Sequence, residues 1–579
     1  MKELFSSSFL SVTTYDNKSP ILTRCKMAKS GNRIFFVMLL ALLSACKKAD
    51  THEQGGVRSA SILSLLVNGA PVVNGGHTAD LSLDTPVAVD ITFSEPIDTA
   101  LLDRTKIFVI GVSATSVEIS QGAGADHLAL TIDNKALGFL SSYQLTLTSG
   151  NNLGVNLEDG FKCTLQTGID PAPKFPTISD DSLLTLVESQ TFKYFWDFGH
   201  PVSGMARERT SSGDIVTTGG TGFGVMATIV AAQRGFITRE QAAGRIQTIV
   251  SFLGTQCTRY HGAFSHWING RTGATQPFST YDDGGDLVET ALLMQGLLAA
   301  RQYFNSSDPA EATLRSDITA LWEGVEWDWY RQGGQNVLYW HWSSDYGWKM
   351  NMKIAGWNEA MAIYVLAASS PTHPIPKAVY DQGWAQNGNM RNGKTFYNYV
   401  LPLGPDYGGP LFFSHYSFLG LDPHNLQDQY ADYWQQNLNH TLINYNYCVA
   451  NPKGFSGYGP DCWGLTASDG NNGYSAFSPT NDQGVIAPTA ALSAMPYTPE
   501  ESMRALHFFY YTLGDKLWTQ YGFRDAFNLT ARWFGPDCIA INQGPIIVMI
   551  ENYRTGLLWN LLMQDTEIQA GLTALGFTY

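Results

Sequence analysis

Every tryptophan of this 579-residue chain lies in its C-terminal part: there are 15, and the first is Trp196. The hydrophobic period changes near the same place. Upstream, Val87–Phe93 and Tyr143–Thr148 alternate apolar and polar residues, the signature of half-buried strands. Clusters such as Asn74-Gly75-Gly76 and Gly122-Ala123-Gly124 punctuate these runs as turns. From about Thr177 the apolar residues follow a helical spacing instead, beginning with Leu183, Leu184, Val187, Phe192, Phe195 and Trp196. A chain with two periods builds two kinds of layer, so at least two domains are expected.

The upstream region, 57–168, has no convincing amphipathic helix and the size of a β-sandwich. Its Phe93-Ser94-Glu95-Pro96-Ile97-Asp98 segment resembles the signature of bacterial Ig-like modules. Residues 169–178 hold three prolines and read as a stiff linker. Beyond it, helical patterns cover 286–303, 314–329, 357–368, 425–445, 502–513 and 545–562. Thr238-Arg239-Glu240-Gln241 is a capping box that opens a further helix. Long loops rich in Gly, Trp, Tyr, Asn and Asp separate the helices, notably 339–353 and 454–479. Loops of that length in a compact domain carry function. No repeat period is present, which argues against a solenoid and for an α-helical toroid with its site at one rim.

Composition removes several function classes. Hydrophobic residues are 44% and charged residues 15%, which excludes a disordered or coiled-coil chain. The net charge of −15 makes nucleic acid an improbable partner. Near the N-terminus a basic flank precedes the apolar run 34–43 and then Leu43-Ser44-Ala45-Cys46. This is a secretory pattern, and the last four residues resemble a bacterial lipobox in which Cys46 becomes the lipidated first residue. Met27 is the expected start, and 1–46 is the signal and lipobox segment. The run is too short to span a bilayer, so membrane contact is expected only through a lipid anchor, in the periplasm or at the outer membrane. Apart from Cys25 and Cys46, five cysteines remain, with no C-x-x-C pair. They read as buried thiols, with one Cys448–Cys462 bridge as the alternative.

The candidate chemistry begins with Tyr281-Asp282-Asp283-Gly284-Gly285-Asp286-Leu287-Val288-Glu289. Asp286 and Glu289 stand three apart at the start of an apolar helix, on one face. An acidic first turn is also ordinary capping. An apolar run behind it turns the pair toward a cleft, where like charges raise one pKa. Asp282 belongs to the same cluster. Glu359, in Gly356-Trp357-Asn358-Glu359-Ala360, opens another apolar helix directly after an aromatic loop. Desolvation beside Trp357 would keep it protonated, as a general acid must be. Glycoside hydrolysis needs two such carboxyl groups. Asp461, Asp469, Asp482, Asp525, Asp537 and Glu551 are further candidates that the sequence does not rank. Aromatic loops holding Trp342, Trp348 and Tyr458 offer flat faces for sugar rings, though core packing claims many aromatics. Metalloprotease, P-loop and nucleophile-elbow motifs are missing, and the histidines are scattered, so neither a metal nor a cofactor is expected. Gly219-Gly220-Thr221-Gly222-Phe223-Gly224 lacks a βαβ setting and reads as a backbone approach to substrate or a tight turn before the helix, rather than a nucleotide loop.

Several segments together resemble the glucoamylase-like (glycoamylase) domain family. They include 218–227, 261–266, 356–360, 369–372 and 410–413. Two long ones are Cys462-Trp463-Gly464-Leu465-Thr466-Ala467-Ser468-Asp469-Gly470 and Ile550-Glu551-Asn552-Tyr553-Arg554-Thr555-Gly556-Leu557-Leu558-Trp559. The resemblance spans about 180–565. It implies an (α/α)6 barrel over 179–579 and membership of glycoside hydrolase family 144, inverting β-1,2-glucanases that are endo-acting or release sophorose. By the same resemblance Glu359 matches the family acid, and Asp286 and Glu289 its acidic helix start. His266, Trp357, Trp463, Asp469 and Arg554 enter as substrate-binding candidates with the matched motifs. The implied partner is β-1,2-glucan or sophoro-oligosaccharide. Two alternatives stay open: glucosyl transfer or another β-glucan activity on the same barrel, and a non-catalytic surface glycan-binding lipoprotein.

Overall fold

The computed structural model describes residues 57–579; the signal and lipobox segment, with Cys25, Met27 and Cys46, lies outside them. The chain divides after Gly168 into two compact units.

In the first unit the alternation of the sequence becomes two faces of a sheet. In β4 (Val87–Phe93) the residues Val87, Val89, Ile91 and Phe93 are buried while Ala88 and Asp90 are exposed. β4 pairs antiparallel with β2 (Ile62–Val67) and with β7 (His127–Ile132), Val89 facing Leu130 and Ile91 facing Leu128. Strands β3 (Ala70–Pro71) and β6 (Val117–Gln121) complete a five-stranded sheet in the order β3-β2-β4-β7-β6. A second antiparallel sheet runs β11 (Phe161–Gln166), β8 (Ser142–Leu147), β5 (Ile107–Ile110). A third joins β1 (Arg58–Ala60), β10 (Val155–Leu157) and β9 (Gly150–Asn152), with β1 parallel to β10. The inward residues of all three sheets close over one apolar core that includes Val89, Leu130, Val109, Leu145, Leu165 and Val155.

The second unit begins at Ile169 and takes the proline-rich segment with it. Lys174 donates its backbone N–H to the Tyr511 carbonyl at 2.7 Å, and Phe175 stacks on Tyr510 with centroids 4.5 Å apart. The helices here have readable starts. Ser179 caps α1 (Asp180–Trp196), whose first turn holds Asp180 and Asp181. The capping box of α3 (Arg239–Thr255) forms in both directions between Thr238 and Gln241. Asp308 caps α5 (Pro309–Glu323), with Pro309 in the first turn.

Between them, α2 (Thr218–Gln233) and α4 (Leu287–Tyr303) are buried nearly throughout. They meet through glycines: a Cβ on Gly222 would lie 2.3 Å from the Leu292 carbonyl oxygen, and one on Gly296 2.1 Å from that of Gly222. The glycine-rich segment is therefore a helix–helix contact inside α2, rather than a turn before the helix or a backbone approach to substrate.

Several boundaries differ from the hydrophobic pattern. The expected 314–329 helix starts earlier and stops at Glu323. The 357–368 helix begins only at Met361, as α6 (Met361–Ser369). The Asn358 side chain accepts the Ala360 N–H, and the Ser417 hydroxyl engages both the Glu359 carbonyl and the Ala362 N–H, holding residues 358–360 as a turn. The 425–445 pattern becomes Tyr433–Ala450, capped by Asp432. The 502–513 pattern becomes Pro499–His507 followed by a wide turn through Thr512. The last pattern splits into Ala540–Thr555 and Leu557–Met563, because Gly556 takes a left-handed φ of 70°. All five thiols, Cys163, Cys257, Cys448, Cys462 and Cys538, are unbridged, so the Cys448–Cys462 alternative is not realised. Among the described residues no helix is long and apolar enough to cross a membrane.

Candidate active site

Residues 217–219 open α2, Asp286 caps α4 and Glu359 precedes α6, and their polar groups converge. Local pairing fixes Asp286. Gly285 and Asp286 form a short antiparallel bridge with Trp342 and His341, and the Asp286 N–H bonds the Phe264 carbonyl at 2.8 Å. The approach is close enough to require the two preceding glycines. A Cβ on Gly284 would stand 2.2 Å from the Trp342 carbonyl oxygen, and one on Gly285 2.2 Å from the Tyr330 hydroxyl.

The Asp286 carboxylate is buried and fully engaged. Oδ1 accepts the Glu289 backbone N–H at 2.9 Å, the capping bond of α4. Oδ2 meets Nδ1 of His266 at 3.1 Å, the Trp340 indole N–H at 3.2 Å and Nε2 of His341 at 3.4 Å. Burial alone would raise its pKa, but the two imidazoles overcome that and hold it well below the usual carboxylate range. His341 also lies 3.1 Å from Asp282 Oδ2, so one ring spans two buried carboxylates. Desolvation opposes the charge on both rings. Even so, Asp282 and Asp286 push His341 up to about 9, and Glu289 and Asp286 push His266 up to about 10.

Glu289 faces the start of α2. Its Oε2 accepts the Gly219 N–H at 2.7 Å, and its Oε1 stands 3.9 Å from His266 Nε2. Burial and the neighbouring Asp286 charge raise its pKa, while the His266 charge and the Gly219 N–H oppose the rise. Glu359 is partly exposed, and its carboxyl accepts no hydrogen bond from another residue's side chain among the described residues. Desolvation, helped by the charges of Glu289 and Asp286, pushes its carboxyl up to about 7. The result is three carboxyl groups within electrostatic reach of one another, with separated proton affinities, the arrangement acid–base chemistry needs.

A second acidic group adjoins the first. Arg209 binds both oxygens of Asp469 at 3.0 Å and both of Glu208. Asp525 accepts the Asp469 N–H at 2.7 Å and the Asn542 amide at 2.7 Å, and burial with the Asp469 charge pushes it up to about 7. Asn542 in turn accepts the Tyr416 phenol at 3.2 Å. Tyr416 lies within the electrostatic reach of Glu359, Asp525 and Glu289, which links the two groups.

Of the residues expected from sequence, Glu359, Asp286, Glu289, Asp282 and His266 come together, with Asp469 in the adjoining group. Others do not. Trp463 is fully buried and donates its indole N–H to the Glu501 carbonyl at 3.1 Å. Trp357 packs on Tyr433, Phe418 and Trp384 in the core. Arg554 stands in the last turn of the helix Ala540–Thr555, the end opposite Asn542, where it pairs with Glu188 at 2.6 Å and Asp181 at 2.7 Å. These three serve packing and ion pairing, because their polar atoms and faces are occupied or enclosed by protein. Tyr458 is tied to Asp482 at 2.8 Å. Trp342 and Trp348 are half-covered by Trp329, Trp348 stacking on it at 4.8 Å. Asp461 is exposed, and Glu551 binds Arg234.

The structure also brings in His341, Trp340, Gly219, Arg209, Tyr416 and Asn542. His341 and Trp340 sit inside an aromatic run, Tyr339-Trp340-His341-Trp342, whose rings draw attention away from its N–H donors. His266, Asp282 and Asp286 each place an atom within 4.8 Å of the others, a spacing able to hold a cation.

The Glycoamylase family model matches residues 351–566. Over 417 residues the chain is 47% identical to the exo β-1,2-glucooligosaccharide sophorohydrolase (non-reducing end) of Parabacteroides distasonis, covering 68% of this chain and 58% of that protein. The endo-β-1,2-glucanase of Chitinophaga pinensis, solved with sophorotriose and glucose, is 52% identical with a TM-score of 0.68, over 70% of this chain and 99% of that one. The chain belongs to the glycoamylase family. A β-1,2-glucanase structure from Parabacteroides distasonis adds 37% identity and a TM-score of 0.67 over 90% of this chain and 74% of that one. These likenesses agree with glycoside hydrolase family 144, and the glycoamylase chain described here shares its fold with those glucanases.

Proposed function

We propose that this glycoamylase hydrolyses β-1,2-glucan or its oligosaccharides by single displacement with inversion. Its relatives carry that substrate in their names: a sophorohydrolase at 47% identity and an endo-β-1,2-glucanase at 52%. One observation carries the mechanism. The Glu359 carboxyl is unclaimed by any neighbouring side chain, is pushed up to about 7, and feels the charges of Glu289 and Asp286. A carboxyl in that state gives a proton to a glycosidic oxygen at neutral pH.

Between the other two, Glu289 suits the water-activating role. The Asp286 oxygens are occupied by four N–H donors, so its task is to cap α4 and hold His266 and His341 in place. Glu289 keeps Oε1 free of a short hydrogen bond, and its raised proton affinity makes it the stronger base. The cation at His266 balances it electrostatically. In an inverting enzyme the acid and base are separated by about 6.5–9.5 Å to admit water.

The same reading extends to architecture and place. The helical unit is an (α/α)6 barrel with the cleft at one rim, supported by three helix N-termini that meet there. The first unit is an Ig-like β-sandwich, supported by two antiparallel sheets over one core. Lipidation at Cys46 would hold the enzyme at the membrane of the periplasm or outer membrane.

The test is product chromatography after incubating the chain with linear β-1,2-glucan, beside Glu359→Gln. Sophorose alone indicates exo action and a ladder of oligosaccharides endo action. Wild-type protein that releases nothing refutes the substrate.

A further inference from the structure

Tyr281 and Tyr346 are 39% and 47% exposed, in a unit whose aromatic side chains are mostly packed away. They come from different segments and still meet edge to face, with ring centroids 5.2 Å apart and planes at 80°. Neither phenol bonds to another described residue. Singly exposed aromatics need no explanation. Two that converge from separate loops beside the Asp282–His341 pair present a larger apolar surface with polar tips, which is what a sugar ring stacks on.

Both rings are held by the segments that build the site. Tyr281 directly precedes Asp282, whose carboxylate is anchored 3.1 Å from His341. The turn behind it is closed by the Phe278 N–H on the Asp282 carbonyl at 2.9 Å. Tyr346 follows His341 by five residues, in a turn closed both ways between Ser343 and Gly347 at 3.1 and 2.8 Å. The Ser343 hydroxyl also accepts the N–H groups of Asp345 and Tyr346, each at 3.0 Å. The rings are thus pre-positioned, and binding has little loop entropy to overcome. Lys349 stands 6.0 Å from the Tyr281 ring and adds donors for sugar hydroxyls.

The geometry points to a stacking platform: Tyr281 and Tyr346 together bind a glucosyl residue of the glucan chain at the rim of the cleft, away from the bond being cut. The platform rests on the proposed β-1,2-glucanase reading for its ligand. It makes the enzyme favour long chains over the shortest cleavable one.

The experiment compares wild type, the Tyr281→Ala/Tyr346→Ala double variant and the double Phe variant. kcat and KM are measured on polymeric β-1,2-glucan and on the shortest oligosaccharide that wild type cleaves. In the Ala variant the polymer-to-oligosaccharide ratio of kcat/KM falls about tenfold, through KM, and the Phe variant restores it. An unchanged ratio, or equal loss on both substrates, overturns the platform and leaves the hydrolase reading intact. If wild type cleaves no β-1,2-glucan, that reading fails separately. Calorimetric binding of a panel of soluble β-glucans then decides the platform: weaker binding by the Ala variant supports it, and equal binding overturns it.

Discussion

Oδ1 of Asp286 accepts the backbone N–H of Glu289 at 2.9 Å, so one carboxylate caps the helix that carries the other. Two acidic residues three apart therefore have different work, although both are buried. Asp286 caps α4, while Glu289 spends Oε2 on the Gly219 N–H and keeps Oε1 out of any short hydrogen bond.

This division predicts how the two fail. Glu289→Gln keeps the Gly219 contact and the fold but removes the base, and kcat is expected to fall about 10³-fold or more, with azide restoring turnover as an external nucleophile. Asp286→Asn leaves His266 and His341 with one less counter-ion and weakens the cap. It should lower the melting temperature as well as kcat, with no azide rescue. Azide rescue of the Asn variant and not of the Gln variant reverses the assignment.

Glu359 sets a pH limb. Its carboxyl is raised from 4.5 to about 7 by desolvation first and by the charges of Glu289 and Asp286 second. The proton donor is present below that value and lost above it, so kcat/KM should decline as pH rises through about 7. Glu359→Gln should retain little activity at any pH, and the residual rate should lack that limb. A wild-type alkaline limb beyond pH 9 excludes Glu359 as the acid.

Gly219 is the third test. A Cβ there would stand 2.6 Å from Glu289 Oε2 and 3.1 Å from its carboxyl carbon. Alanine suits a helix, so Gly219→Ala should fold while displacing the carboxylate. Misplacement on that scale costs about 10²-fold in kcat. A variant with wild-type turnover shows that Glu289 has room to move and that its position is not critical.

How much of this was legible in the sequence follows the range of the forces involved. Local signals survive translation: the alternation of Val87–Phe93 became β4, the Thr238–Gln241 box formed both its bonds, and the Asp286–Glu289 spacing placed two carboxyl groups on one site. Signals that depend on partners far along the chain did not. Ser417, 58 residues from Glu359, binds its carbonyl and delays α6 to Met361, and no local pattern announces that contact. His341 reaches Asp282 and Asp286 only because a two-residue strand brings it across. Trp463 and Arg554 stood in matched motifs, where identity signals a shared fold as readily as a shared ligand. Burial and ion pairing, which are tertiary facts, separate the two.

Arg554 supplies the last prediction, because activity and stability part company there. It binds Glu188 at 2.6 Å and Asp181 at 2.7 Å, while Arg234 binds Glu551 beside them. Glu188 is fully buried, and desolvation pushes it up to about 8 against the pull of Arg554, with Glu551 adding to the rise. Removing Arg554 takes away the hydrogen-bond and charge partner of a buried carboxyl, so Arg554→Ala should melt below wild type. Its kcat/KM at a temperature where it stays folded should be unchanged, since these ion pairs lie at the far end of the helix that begins near Asn542. The pH dependence has a definite sign. A native pKa raised above the unfolded 4.5 contributes stability at low pH that is lost as pH rises through about 8. Wild type should therefore lose melting temperature as pH rises from about 5 to about 8, and Glu188→Gln should flatten that loss. An Arg554→Ala enzyme with normal stability and a raised KM would return this arginine to the substrate.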